Sequence, residues 1–369
     1  MNRFEYARPV TIAEAIAAGS VPGAAYLAAG SNLMDLMKGG VMRPSHLVDI
    51  GRLPGLDQIE MLADGQVRVG ALVRNADLAY HPEFAKRFPA VAEAILSGAS
   101  AQLRNVATLG GNLLQRTRCA YFYDAATACN KRDPGAGCDA LGGENRLHAI
   151  LGWSDHCIAT NPSDLCVPLA ALGAIVEIEG VDGHREFALS SFHNLPGSHP
   201  ERETVLNPGD LVTAIRLPAD AARFAGHSRY LKVRERTSYA FAVVSAAVAL
   251  RFEQGRIADV RVALGGVALR PWRSFEAEIA LEGEAPSPAA YRRAAEAALA
   301  DAKPSGDNGF KIELARRIIA RALTLAAAGT PARLPALPAS AFAGSASAGS
   351  ASGGSAFAAS ASNGVSHHV

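Results

Sequence analysis

The 369-residue chain has only five cysteines, and Cys119, Cys129, Cys138, Cys157 and Cys166 all fall within a window of 48 residues. Five thiols gathered in one stretch point to chemistry rather than to packing alone. Their spacing is Cys119-x9-Cys129-x8-Cys138-x18-Cys157-x8-Cys166. A disulfide framework needs an oxidising compartment and usually a small chain, and an odd count does not suit it. A structural zinc site pairs cysteines about two to four residues apart, and no such pair is present. An iron–sulfur cluster needs four thiolates but no fixed spacing, because a long irregular loop can reach a group of that size. The loop composition favours the cluster. Lys131-Arg132-Asp133-Pro134-Gly135-Ala136-Gly137 leads into Cys138, and Leu141-Gly142-Gly143 follows it; neither run suits regular structure. Their backbone N–H groups, with Arg116, Arg118, Lys131 and Arg132, would suit an anionic thiolate-ligated centre. On spacing alone, zinc, disulfides and unligated core thiols stay open as alternatives.

The elements around this window read as α+β. Thr11-Ile12-Ala13-Glu14 has capping-box spacing and opens a short helix that stops at Gly19. Residues 24–29 form a small, apolar strand that runs into Gly30-Ser31-Asn32, and residues 33–38 form a helix closed by Gly39-Gly40. Backbone N–H groups at such a helix start are free to bind phosphate oxygens. The loop lacks the G-x-G-x-x-G spacing of a Rossmann turn, and by itself it is an ordinary strand–loop–helix connection. Residues 46–50 read as a strand and residues 58–69 as a hairpin around Asp64-Gly65. A helix starts within residues 71–77, and residues 89–101 read as another. Residues 169–178 are apolar and β-rich, and residues 211–217 form a strand ended by Pro218. A second domain begins near Arg229, with a long hairpin over residues 239–252 and 257–267 and helices over 289–302 and 310–328. In the last helix Ile312, Ala315, Ile319, Ala322 and Leu323 share one face. From about residue 330 the sequence turns to Pro-Ala and then Ser-Ala-Gly, a composition that cannot bury a core and predicts a disordered extension.

Apolar residues make up 49% and charged residues 19% of the chain, with a net charge of +1. That balance gives no electrostatic reason to expect nucleic acid or an anionic membrane surface as partner. No apolar run reaches the roughly 18 residues a membrane helix needs, so no membrane insertion is expected. The N-terminal segment has no apolar stretch behind its charge, so no signal peptide is expected either. Export would then need another chain as carrier.

Residues 26–34, Tyr-Leu-Ala-Ala-Gly-Ser-Asn-Leu-Met, and Thr108-Leu109-Gly110-Gly111-Asn112 resemble the two FAD-loop motifs of the molybdenum hydroxylase flavoproteins. These are the medium, FAD-binding subunits of the xanthine dehydrogenase and aldehyde oxidoreductase type. Asn161-Pro162-Ser163-Asp164 and Leu264-Gly265-Gly266-Val267-Ala268 match the same family, so the likeness spans residues 3 to about 328. The cysteine loop narrows it. Residues 115–119, 129–132, 137–138, 141–146 and 157–160 resemble the FAD subunit of bacterial periplasmic aldehyde oxidoreductases, which carries an additional [4Fe–4S] cluster.

The resemblance implies a two-part FAD-binding domain of the PCMH/vanillyl-alcohol-oxidase type, followed by a smaller α+β C-terminal domain of the CO dehydrogenase flavoprotein type. The FAD domain would cover 1–222, with subdomains 1–56 and 57–222 and the cysteine loop at 115–160. The C-terminal domain would cover 223–329 and the tail 330–369. Tyr26, Leu27, Ala28, Ala29, Gly30, Ser31, Asn32, Leu33 and Met34 would wrap the FAD pyrophosphate with backbone N–H groups. Thr108, Gly110, Gly111 and Asn112 would form the second loop, Asp164 would accept from ribityl hydroxyls, Ile215 would pack on the isoalloxazine, and Lys232 would lie at its polar edge. Cys119, Cys129, Cys138 and Cys157 would ligate the cluster and Cys166 would not. No catalytic side chain is expected. The implied role is electron relay in a heterotrimer, from a large molybdenum-cofactor subunit through 2Fe–2S clusters of a small subunit to this FAD, and on to an external acceptor. Molybdopterin and 2Fe–2S centres would belong to the partners only. Location would be periplasmic by co-export with a signal-bearing partner, with the cytoplasm as alternative. A stand-alone flavoprotein oxidase with a zinc- or cluster-stapled loop is the competing reading.

Overall fold

The structure, a computed structural model, describes residues 1–332. The expected disordered extension lies outside those residues from 333 onward. Three sheets carry the described part. The first is parallel, with β1 (Glu5–Ala7), β2 (Ala24–Leu27) and β3 (His46–Asp49) in the order β1-β3-β2. Parallel strands need a crossover, and the helix Ile12–Gly19 supplies one. Its start is the expected capping box: the Glu14 N–H donates to Thr11 Oγ1 at 3.2 Å, and the Thr11 N–H donates to the Glu14 carboxylate at 3.3 Å.

The second sheet is antiparallel. It contains β4 (Ile59–Met61), β5 (Val67–Gly70), β6 (Ile175–Gly180), β7 (Gly183–Ala188) and β8 (Leu211–Leu217), in the order β4-β5-β8-β6-β7. β8 is its central, buried strand, paired with β5 on one side and β6 on the other. Between β5 and β6 the chain makes one excursion, over 71–174, that contains the second glycine loop and all five cysteines.

The third sheet is antiparallel, with β9 (Ser228–Val233), β10 (Val244–Glu253), β11 (Arg256–Gly265) and β12 (Trp272–Arg273) in the order β12-β11-β10-β9. Helices Phe275–Leu281, Pro288–Ala298 and Phe310–Ala327 bury Leu281, Ala294, Ile319 and Leu323 in one core with its strands. The first of these helices escaped the sequence reading, although the cap was visible: Ser274 Oγ accepts the Ala277 N–H at 3.2 Å.

Three expectations need correction. The helix expected over 89–101 stops at Ser97, because Gly98 is extended and Ala99 turns left-handed (φ 49°); a separate turn, Ala101–Arg104, follows. The apolar run expected as strand over 169–178 is divided. Cys166–Ala171 is helical, Gly173 (φ 71°) reverses the chain, and only then does β6 begin. That helix is buried on every side, and a short apolar run without a polar face cannot be assigned by periodicity. The hairpin strand expected from Tyr239 begins instead at Val244, since Tyr239 itself is left-handed (φ 51°).

One residue of the last helix ties the C-terminal unit to the cysteine window. Lys311 is fully buried, and its Nζ donates to the carbonyls of Leu147 (2.9 Å), His148 (2.7 Å) and Gly266 (2.6 Å). Burial pulls its ammonium down to about 7, and the three carbonyl oxygens oppose that by favouring the charged form. Lys311→Met would leave Leu147 O and Gly266 O without that donor, at about 1–3 kcal/mol each, while His148 O keeps Asn308 Nδ2 at 3.1 Å. We expect a loss of at least ~2 kcal/mol in chemical unfolding; a loss below ~1 kcal/mol would show that the carbonyls find other partners.

Candidate functional site

The turn after β2 brings the first loop to a cavity. Gly30 is left-handed (φ 73°), and a Cβ there would lie 2.8 Å from Met34 Cγ and 3.3 Å from Leu27 Cδ1. Leu27 and Met34 therefore buttress the loop from below, while Tyr26, Ala28, Ala29, Gly30, Ser31, Asn32 and Leu33 line a cavity of about 270 Å³. Tyr26 also acts as an anchor. Its hydroxyl donates to Gly209 O at 2.7 Å, so its side chain fastens the loop to the chain entering β8.

The second loop forms the opposite wall. Thr108 Oγ1 accepts the Gly111 N–H at 3.3 Å, and the Gly110 N–H donates to Ala71 O at 2.8 Å. Gly110 is required by contact: an added Cβ would lie 3.0 Å from the Ala71 methyl and 3.2 Å from its carbonyl oxygen. Thr108, Gly110 and Gly111 line the same cavity as the first loop. Asn112 links onward, its Oδ1 accepting from Ser163 Oγ at 2.8 Å and from Gln115 Nε2 at 2.7 Å.

Those bonds lead to a second cavity of about 600 Å³, lined by Ser31, Asn32, Gly111, Asn112 and Asp164 together with the segment 235–241. Asp164 and Arg104 are buried charged residues on its lining. Tyr230 donates to one carboxylate oxygen at 2.6 Å and Lys232 Nζ to the other at 2.7 Å, while Lys232 also reaches Ser97 O at 3.2 Å. The break after Ser97 makes room for this: a Cβ on Gly98 would lie 3.0 Å from Asp164 Oδ2. Burial and the Asp164 charge push the Tyr230 phenol well above its ordinary range, so it stays protonated and donates. Lys232 is thus part of the site, with its side chain 3% exposed. Ile215 is not brought to either cavity. It lies on β8 between Val69 and Val176, in the core, and the β8 residues that line the first cavity are Leu211 and Val212.

The cysteines Cys119, Cys129, Cys138 and Cys157 line one small space, with Lys131 and His156 beside them. Short bridges shape it: Cys129 pairs with Cys138, Ser154 pairs with Cys157, and the Asn130 N–H donates to Gly137 O at 2.7 Å. All five thiols are free. Burial pushes Cys119 up to about 12 and raises Cys138 and Cys157, against the N–H groups of Tyr121, Phe122, Ala140, Leu141, Ile158 and Ala159. Among the described residues, no group of three or more His, Cys, Asp or Glu side chains converges as one metal ion would require. The four thiols line this common space, and four is the number of thiolates that an iron–sulfur cluster takes. Cys166 is elsewhere, fully buried in the core with Leu165 and Leu169.

The four basic residues named for the loop have different uses. Arg132 donates to the carbonyls of Tyr121, Phe122, Asp124 and Thr127 and so braces the loop from within. Arg116 pairs with Glu203 at 2.7 Å, and Arg118 donates to Tyr123 at 2.5 Å. Lys131 alone of the four lines the cysteine space, its Nζ held by Pro200 O at 2.7 Å. The two sites are joined: Asn32 of the first loop accepts the Arg116 N–H at 2.9 Å and donates to Tyr123 at 3.4 Å. A third cavity, of about 370 Å³, has Cys119 and His148 on one wall and Ser163 and Asp164 on another. Sequence reading missed Tyr230, Ser163 and His148. Two of them carried a signal: Tyr230 stands two residues before Lys232 and therefore on the same face of a strand, and Ser163 stands beside Asp164 in the Asn161–Asp164 motif.

Residues 2–220 match the family described as FAD binding domain in molybdopterin dehydrogenase, and residues 229–326 match the CO dehydrogenase flavoprotein C-terminal domain. The aldehyde oxidoreductase FAD-binding subunit PaoB of Escherichia coli is 47% identical, over 89% of this chain and 99% of that protein. The carbon monoxide dehydrogenase medium chain of Hydrogenophaga pseudoflava is 29% identical, over 88% and 97%. Among solved structures, carbon monoxide dehydrogenase from Hydrogenophaga pseudoflava aligns with a TM-score of 0.69 at 29% identity, covering 89% of this chain and 98% of that one. Quinoline 2-oxidoreductase from Pseudomonas putida aligns at 0.68 and 25% identity, covering 89% and 98%. With both domains matched in order along nearly the whole described chain, this protein belongs to the FAD-binding medium subunits of the molybdenum hydroxylases.

Proposed function

We propose that this chain is the electron-transfer subunit of a molybdenum-dependent aldehyde oxidoreductase, and that Cys119, Cys129, Cys138 and Cys157 hold one [4Fe–4S] cluster beside its FAD. The observation that carries the reading is a shared wall: Cys119 and Asp164 line one cavity, so the thiol site and the flavin site are neighbours. When bound, FAD takes up electrons from one partner and gives them to another.

The chain's own residues prepare that exchange. The backbone N–H groups of residues 28–32 would meet phosphate oxygens, because the small side chains at Ala28, Ala29 and Gly30 let the backbone approach, while the N–H groups of 110–112 are already bonded to Ala71 O and to Thr108, so that loop shapes the wall. The Asp164 carboxylate uses two of its roughly four acceptor positions on Tyr230 and Lys232 and offers the rest to ribityl hydroxyls. Lys232, held within this buried cluster, favours negative charge at the ring edge. Lys131 offsets the charge of deprotonated thiols. The 47% identity to an aldehyde oxidoreductase subunit supports the substrate class. It also supports a heterotrimer with a large molybdenum-cofactor subunit and a small 2Fe–2S subunit, from which this chain passes electrons to an external acceptor. Export as a folded complex, on a signal carried by a partner, belongs to the same reading.

The test is anaerobic reduction. Aldehyde should bleach the flavin absorption of the assembled complex and leave the isolated chain unchanged. Bleaching of the isolated chain by aldehyde would overturn the relay and favour a stand-alone oxidase.

A further inference from the structure

We infer that His148 is the residue that sets the reduction potential of the cysteine-held centre, through a hydrogen bond to Cys119. The inference rests on the cluster reading given above. His148 Nε2 lies 3.1 Å from Cys119 Sγ. The other three thiols of the space have backbone N–H neighbours or none among their described partners, so Cys119 alone has a side-chain donor. A ligating sulfur is a thiolate with no proton to give, so the proton in this contact resides on Nε2, and the imidazole donates. The ring has no competing use: Nδ1 is buried without a partner. The backbone that carries the ring is held in place. Its carbonyl is gripped by Lys311 Nζ at 2.7 Å and Asn308 Nδ2 at 3.1 Å, and its N–H donates to Asn145 O at 2.9 Å. A donor fixed in this manner at a sulfur stabilises the more negative, reduced centre more than the oxidised one, and so raises the potential.

The placement gives the bond a purpose. His148 and Cys119 line the cavity whose far wall holds Ser163 and Asp164. The sulfur being tuned is therefore the one that faces the flavin side, and its donor is held by the last helix of the C-terminal unit. His148 is a positioning residue in this scheme; it ligates nothing and touches no substrate.

The experiment uses the complete complex and compares wild type, His148→Leu and His148→Gln by redox titration followed by electron paramagnetic resonance, with iron and flavin content measured on the same samples. His148→Leu should lower the reduction equilibrium constant of the centre about tenfold, a shift of about 59 mV for one electron, while the flavin potential stays in place. His148→Gln, whose amide nitrogen extends as far as Nε2, should recover most of that shift. If His148→Leu loses iron, His148→Asn takes its place, because the shorter amide removes the donor from Sγ but keeps a polar group. An unchanged potential in an iron-loaded variant overturns the inference, as does a His148→Gln potential equal to that of the donorless variant. Absence of iron from the wild-type complex overturns the cluster reading itself, and the inference with it.

Discussion

Replacing Asp164 with leucine will cost the protein about 3–5 kcal/mol, the range found when one partner of a buried ion pair is removed, and will empty its flavin site. Lys232 is the stranded partner, with its side chain 3% exposed and only Ser97 O left to accept from it. The Tyr230 hydroxyl loses its acceptor as well. The double variant Asp164→Leu/Lys232→Met separates the two consequences. Removing both charges should recover most of the stability, since an apolar pair of similar volume can replace a buried ion pair. It should not recover FAD, because the acceptors for the ribityl hydroxyls are gone. Flavin retained on gel filtration and the midpoint of urea unfolding measure the two effects separately. A double variant that keeps its flavin would show that Asp164 serves the fold and not the cofactor.

Cys138→Ser should remove the cluster, and Cys166→Ala should not touch it. Cys138 lines the common space and pairs through its backbone with Cys129, whereas Cys166 is buried among Leu165 and Leu169. The consequence should reach the flavin. Arg116 and Tyr123, the residues that hold Asn32 of the first loop, flank Cys119 in the segment that the cluster would staple. We expect Cys138→Ser to lose about four iron atoms per chain and to release FAD more readily than wild type, with Cys166→Ala matching wild type on both counts. Equal iron loss from the two variants would remove the distinction between them.

The sequence reading succeeded where the physics is local. The capping box at Thr11 and the strand–loop–helix order around Gly30-Ser31-Asn32 are short-range requirements written in adjacent residues. It fell short where side chains find partners across the fold. Tyr230 meets Asp164 at a separation of 66 residues, and Lys311 meets His148 across 163; the spacing of Tyr230 from Lys232 gives a shared strand face and not the partner, and nothing near Lys311 announces its contact. The basic residues of the cysteine loop illustrate the same limit. Charge alone suggested four groups facing an anionic centre, yet Arg132 turned inward to satisfy four carbonyls that the irregular loop leaves without partners. Ile215, named through the resemblance, is central in its sheet, while Leu211 and Val212 of the same strand line the cavity.

In the proposed function this chain carries FAD and an iron–sulfur cluster side by side. Iron, acid-labile sulfide and flavin determined together on the purified chain, separated from its partners, test it most directly. The prediction is one FAD with about four iron and four sulfide, and an absorption spectrum in which a broad iron–sulfur shoulder underlies the flavin bands. One zinc with no iron, or flavin with neither metal nor sulfide, would contradict it.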